Sequence, residues 1–248
     1  MIYVEDIKFG YSKDMQILKG VTTSIDKGEI VNILGANGCG KSTLLKIMLG
    51  IYKTDSGKVF INNKNIDAIK RAELAKYLSY VPQFHNAVFP YLVEEVVLMG
   101  RSMGSIWKNY TKKDYEVVID VLKALKIDYL KDRVYSKISG GERQLVLVAR
   151  AMAQGSGFCF MDEPVASLDY GNQYRLLNAV KELSEKGITF IITTHHPDHA
   201  RYLGGRSILM KNGVIYKDGK TTNVINEKSL YDLYRVKIDD TGRVYDVD

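Results

Sequence analysis

The chain has 248 residues, 46% of them hydrophobic and 26% charged, with a formal net charge of +6. This is a globular composition, long enough for one large domain or a core with a subdomain, and no apolar run approaches the roughly 18 residues of a membrane span. Lys and Arg are scattered rather than clustered, so nucleic acid is not an expected partner.

The chain opens with alternation at Ile2, Val4, Ile7 and Phe9, then Leu18, Val21 and Ile25, which predicts short antiparallel strands. The N-terminus has no basic stretch ahead of an apolar core, so no secretory signal is expected. After the turn Asp26-Lys27-Gly28-Glu29, the run Ile30-Val31-Asn32-Ile33-Leu34 reads as a buried parallel strand. A glycine loop follows, then helical spacing over 41–49 with Gly50 as its stop. Further strands are expected at 59–61 and 78–81. From about 92 to 153 helical patterns dominate, at 93–99, 114–125 and 141–152, with a loose connector over 100–113 that holds Trp107. This region reads as a helical subdomain inserted into an α/β core formed by 1–91 and 154–248 of a single domain. The core resumes with a strand at 158–161, a helix over 172–185, a β-branched strand at 188–193, a short helix after Pro197 and a hairpin at 208–210 and 214–216. The tail over 234–248 alternates weakly and predicts a small edge hairpin. The two cysteines, Cys39 and Cys159, make no disulfide framework, and a reducing cytoplasm is the simplest compartment.

Two segments carry recognisable chemistry. Gly35-Ala36-Asn37-Gly38-Cys39-Gly40-Lys41-Ser42-Thr43 matches G-x-x-x-x-G-K-[ST] between a strand and a helix. The glycines let backbone N–H groups close on a β-phosphate, and the helix N-terminus adds its dipole. Lys41 should reach β- and γ-phosphate oxygens, and the Ser42 hydroxyl should bind Mg²⁺. The second segment, Phe158-Cys159-Phe160-Met161-Asp162-Glu163-Pro164, is an apolar strand ending in two acids. Asp162 should orient Mg²⁺ at the carboxyl edge of a sheet, and Glu163 should polarise the attacking water. Adjacent acids at a strand end can also cap a following helix.

Between these segments lies Ile138-Ser139-Gly140-Gly141-Glu142-Arg143-Gln144. Phosphate loop, Ser-Gly-Gly, then Asp-Glu is an order that resembles the nucleotide-binding subunit of an ATP-binding cassette (ABC) transporter. The resemblance covers nearly the whole chain and implies a RecA-like P-loop NTPase core with an N-terminal antiparallel β-subdomain and an inserted helical subdomain. It implies ATP and Mg²⁺ as ligands, ATP being held by Gly35, Asn37, Gly38, Cys39, Gly40, Lys41, Ser42 and Thr43, with Tyr11 stacked on adenine. Gln83 matches the glutamine that touches metal and water and links to a membrane partner. Ser139, Gly140 and Gly141 match the signature that completes the γ-phosphate site of the opposite subunit. Asp169 matches the loop that crosses the dimer interface, and His195 the switch histidine that senses the γ-phosphate. Taken singly, Tyr11 could simply pack, and Gln83 could be any turn glutamine after Pro82. His195, His196 and His199 could suggest a metal site, but no Cys or acid cluster joins them and Pro197 interrupts the stretch.

The run Val93-Glu94-Glu95-Val96-Val97-Leu98-Met99-Gly100-Arg101 resembles the branch serving iron–siderophore, haem, cobalamin and some oxyanion importers. That branch implies a head-to-tail dimer on the cytoplasmic face of the membrane, an integral membrane permease, and an extracytoplasmic substrate-binding protein. The groove for the permease is expected along Gln83 to Arg101, with Phe84, Phe89, Tyr91 and Leu92 as apolar contacts. A soluble ATPase of iron–sulfur cluster assembly is the alternative, but that group tends to carry a Lys-Lys-Arg-Asn-Glu-like stretch where this chain has Arg143-Gln144-Leu145-Val146. A DNA-repair ATPase would need a long heptad run, and a small-molecule kinase would have no use for Ser139-Gly140-Gly141.

Overall fold

Two apolar alternations at the start of the chain become long paired strands. The computed structural model describes residues 1–12, 14–83, 89–102, 109–238 and 244–247. The chain begins with β1 (Ile2–Ser12) and β2 (Met15–Ile25), then β3 (Ile30–Leu34), α1 (Lys41–Met48), β4 (Ser56–Ile61) and β5 (Lys64–Asn65). It continues with α2 (Arg71–Leu74), β6 (Leu78–Val81), α3 (Val93–Leu98), α4 (Lys112–Ala124), α5 (Gly140–Ala153), β7 (Phe158–Asp162) and α6 (Tyr170–Glu185). The last part holds β8 (Thr189–Thr194), α7 (Pro197–Leu203), β9 (Arg206–Lys211), β10 (Val214–Lys220), α8 (Thr221–Val224), α9 (Glu227–Tyr234), β11 (Val236–Ile238) and β12 (Val244–Val247). Among the described residues no helix is long and apolar enough to cross a membrane.

The elements group into two compact units, one of Met1–Ala68 with Ile191–Asp248, the other of Ile69–Phe190. In the first, an antiparallel sheet runs β2-β1-β4-β5. The strands are longer than alternation alone suggested, because register shifts between Val4 and Ile7, and again near Gly10, let pairing continue past breaks in the pattern. Ile2, Val4, Ile7, Leu18, Val21 and Ile25 are all fully buried. In the same unit β3 pairs in parallel with β9, Val31 facing Arg206 and Leu34 facing Leu209, and β10 returns antiparallel to β9. Leu34 and Leu209 pack with Ala200, Val224, Ile225, Leu230 and Leu233. At roughly 1.5–3 kcal/mol per fully buried aliphatic side chain, this cluster holds the C-terminal helices beneath the strand that feeds the phosphate loop.

In the second unit β6 runs parallel to β7, Leu78 facing Phe158 and Val81 facing Met161. Both are mostly apolar, as strands covered on two faces require; the buried Ser79 is paired with the Ser156 hydroxyl at 2.8 Å, and Asp162 stands at the end of β7. Helices α3, α4 and α5 pack on one another through buried Val93, Val96, Val97, Val118, Leu122, Leu145 and Val148. Gly100 lets the backbone after α3 press on the Arg150 carbonyl, which a Cβ would overlap. Arg101 beside it donates to Asp114 Oδ1 at 2.9 Å and to the Ala153 carbonyl at 2.7 Å. Asp114 is buried, and its other oxygen accepts from the Thr111 amide and hydroxyl at 2.9 and 2.8 Å. One ion pair therefore ties the ends of all three helices.

Several boundaries differ from the sequence expectation. The short helix expected after Pro197 is α7, and Pro197 itself opens it at the first position, where its missing N–H is not needed. Helix α6 starts at Tyr170, two residues before the expected Asn172, because Asp169 caps it and accepts from the Asn172 amide at 2.9 Å. The tail does form a hairpin, β11 with β12. Helices α8 and α9 were not anticipated. Trp107 lies outside the described residues.

Candidate nucleotide site

Strand β3 delivers its chain directly into the loop, and the loop's first glycine is fixed by space. A Cβ at Gly35 would overlap the Met210 carbonyl and the Cys39 sulfur. At the other end Gly40 has φ +108, a conformation L side chains rarely adopt, and it is the residue that turns the chain into α1. Between them Ala36, Asn37 and Gly38 are exposed, while Lys41 and Thr43 are buried and Ser42 is half-buried. Lys41 Nζ donates to the Gly35 carbonyl at 2.8 Å and the Ala36 carbonyl at 3.3 Å, so the ammonium lies along the inside of the loop. Burial pushes the Cys39 thiol up, against the pull of the Lys41 charge. The loop thus presents a glycine arch, a helix N-terminus and an ammonium, an arrangement made for phosphate.

Tyr11 is 56% exposed at the end of β1. Its hydroxyl shares a 3.0 Å hydrogen bond with Thr43 Oγ1, and its ring meets Phe9 and Tyr52 edge-on at 5.2 and 6.0 Å. The hydroxyl bond leads from the aromatic to the first turn of α1, a link no spacing argument could supply. A cleft of about 360 Å³ flanks the outer arm of the loop, lined by Asn37, Gly38, Lys211, Asp232 and Arg235 among others. Its C-terminal wall was also absent from the sequence reading. His195 follows β8 and is half-buried, with its ring 4.0 Å from that of His196, which in turn lies 4.8 Å from His199. Burial, with His196 beside it, holds the His199 imidazole below its ordinary value.

The second unit carries the remaining candidates. Asp162 is the buried last residue of β7. Glu163 follows with φ +46, a left-handed conformation for a non-glycine residue and one that costs on the order of 1–3 kcal/mol. Its Oε2 accepts from Gln83 Nε2 at 3.1 Å, so two residues 80 apart in sequence meet at one carboxylate. The Pro82 carbonyl, one residue earlier, accepts from buried Gln144 of α5 at 3.4 Å. A smaller cavity of about 160 Å³ is lined by Gln83, Gly140, Arg143, Gln144 and Ser167 among others. Glutamine segment, Ser-Gly-Gly helix and the approach to Asp169 therefore border one space. Ser139 is the exposed N-cap of α5: its hydroxyl accepts from the Glu142 amide at 3.2 Å and its amide donates to Glu142 Oε2 at 2.8 Å. The sequence S-x-x-E that gives this capping box was available in the signature itself. Gly140 and Gly141 form the first turn of α5, and Asp169 stands exposed ahead of α6. Of the expected permease contacts, Phe89, Tyr91 and Leu92 are 61%, 43% and 36% exposed. Phe84 lies outside the described residues.

A phosphate loop on a parallel strand and an acid pair ending another define a P-loop NTPase of α/β class with an antiparallel β-subdomain. The family model described as ABC transporter matches residues 18–166. The chain belongs to the ABC transporter family and is an ATP-hydrolysing subunit of it. It is 36% identical over 236 residues to an uncharacterized ABC transporter ATP-binding protein of Haemophilus influenzae, covering 95% of this chain and 89% of that one. It is 33% identical to the molybdate import ATP-binding protein MolC of the same organism, covering 94% and 87%. Among solved structures, an inward-facing ABC transporter described as metal-chelate type superposes with a TM-score of 0.81 at 32% identity, covering 95% of this chain and 89% of that chain.

Proposed function

We propose that this chain is the ATPase subunit of an ABC importer that carries a metal chelate or an oxyanion through a separate membrane permease. The single observation that carries the reading is the Gln83–Glu163 hydrogen bond of 3.1 Å. It puts Gln83, six residues ahead of the exposed Phe89, in direct contact with the carboxylate we assign as base. Partner movement at that segment and hydrolysis then meet at one residue. In this reading Tyr11 stacks on adenine, the loop from Gly35 to Thr43 holds the phosphates, and Glu163 takes the proton of the water that attacks the γ-phosphorus. Mg²⁺ falls to Ser42, Asp162 and Gln83, an all-oxygen donor set of the kind a hard cation takes. When bound, it neutralises phosphate charge. His195 senses the γ-phosphate. Two copies face head to tail, Ser139, Gly140 and Gly141 of one closing the site of the other, with Asp169 at the crossing. The exposed position of Ser139 at the N-terminus of α5 supports this arrangement, since a helix N-terminus favours an incoming phosphate. The assembly sits on the cytoplasmic face of the membrane and works with a substrate-binding protein. The molybdate-import relative and the metal-chelate type transporter favour the two cargo classes.

The test is Glu163→Gln. ATP binding should survive, while phosphate release should fall by roughly 10²- to 10⁴-fold, the span of general-base catalysis. The variant should accumulate as an ATP-bound pair in size-exclusion chromatography. Turnover at the wild-type rate would remove Glu163 from the mechanism.

A further inference from the structure

The exposed segment at Phe89, Tyr91 and Leu92 is stitched to the chain that leads into Ser139. The Tyr91 carbonyl accepts from the Tyr135 amide at 2.8 Å, and the Val93 amide donates to the Arg133 carbonyl at 2.9 Å. Between these bonds Leu92 and Val134 form an antiparallel bridge. One residue on, the Glu94 amide donates to the Lys131 carbonyl at 3.1 Å, and the Glu94 carboxylate meets Lys131 Nζ at 2.8 Å. The far strand of this bridge has almost no slack before the signature. A single 3-10 turn, Tyr135–Lys137, and then Ile138 precede Ser139. Tyr135 is 2% exposed and the Lys137 amide closes on the Val134 carbonyl at 2.9 Å, so the turn is anchored at its start and closed on itself.

We propose that this bridge is the element through which the permease-facing segment sets the position of Ser139, with Glu94 and Lys131 as positioning residues. The proposal rests on the reading of Phe89, Tyr91 and Leu92 as the permease surface. Backbone hydrogen bonds hold two strands in register, so a push on residues 91–93 displaces 133–135. A slack loop would absorb that displacement; a short turn closed by its own hydrogen bond passes it on. A second route out of α3, through Gly100 and Arg101, reaches the carboxyl end of α5 rather than the end that carries Ser139. Neither Glu94 nor Lys131 belongs to the nucleotide machinery, so their loss leaves the basal reaction untouched.

The experiment weakens the bridge and then restores it in the same sample. Neutralising the ion pair with Glu94→Gln and Lys131→Met in the full chain should leave basal ATPase activity and permease co-sedimentation unchanged. Stimulation by permease in liposomes should fall by roughly three- to tenfold, within the range of mutations that alter coupling. Leu92 and Val134 form a non-hydrogen-bonded pair, a register that places Cα atoms about 4.5 Å apart and within reach of a disulfide. Adding Leu92→Cys and Val134→Cys to the neutralised chain should bring stimulation back on oxidation and lose it again on reduction. Unchanged stimulation in the neutralised chain, or no recovery on oxidation, overturns the inference. If the unmodified chain neither binds permease nor responds to it, the importer reading itself fails instead.

Discussion

At the scale of single residues, two carboxylates differ in what they can be asked to do. Glu142 caps its own helix: the Ser139 amide first, and then the Ser139 and Tyr129 hydroxyls, hold its carboxyl below the usual range. A depressed folded value means the contribution is present above the ordinary carboxylate value and lost as pH falls through the folded one. Urea midpoints measured across that acid range should therefore decline more steeply for the wild type than for Glu142→Gln, which keeps the hydrogen-bond geometry without the titration. Asp114 is a different case, buried and paired with Arg101. Asp114→Ala should cost about 3 kcal/mol in urea unfolding, the low end for a broken buried pair, because Arg101 keeps the Ala153 carbonyl. The residue chemistry of the phosphate loop was legible because spacing alone defines it. The Tyr11–Thr43 bond and the Arg101–Asp114 pair were not, since each joins segments through the tertiary fold and leaves no local pattern.

At the scale of elements, the period alone makes α1 and α3 legible, while two other helices carry a cap as well. Helix α5 has Ser139 with Glu142, and α4 has Thr111 with Asp114. Helix α9 is capped in the same way through Asn226 and Ser229, but it buries only two apolar residues, Leu230 and Leu233, one turn apart, too few for the period to stand out. Asn226→Ala should lower stability by about 1 kcal/mol, read as a shift in the thermal midpoint, because the Asn226 side chain accepts from the Ser229 amide at 3.0 Å. Strands β3, β6 and β7 announced themselves as short apolar runs between turns. Strands β1 and β2 were underestimated because bulges hide continuity from a strict two-residue period.

At the scale of the molecule, element type and contact divide the chain differently. In the sequence, strand pattern gives way to helix pattern at 92 and returns after 153. Contacts group β6, β7 and α6 with those helices as well, in Ile69–Phe190. The other unit is discontinuous, and the consequence falls on the phosphate loop. Its strand β3 pairs with β9, Val31 with Arg206, and its first glycine lies against the Met210 carbonyl. A chain ending at residue 190 contains every residue from Gly35 to Thr43 but lacks that partner strand. It should fail to bind a fluorescent ATP analogue that the full chain retains.

The pairing of β3 with β9 also has a meaning in time. During synthesis the phosphate loop leaves the ribosome early, while β9 follows on the order of ten seconds later. Until then the loop lacks the strand against which Gly35 packs. A nascent chain that stops short of β9 should therefore bind no nucleotide, competence for ATP arriving once β9 has paired with β3.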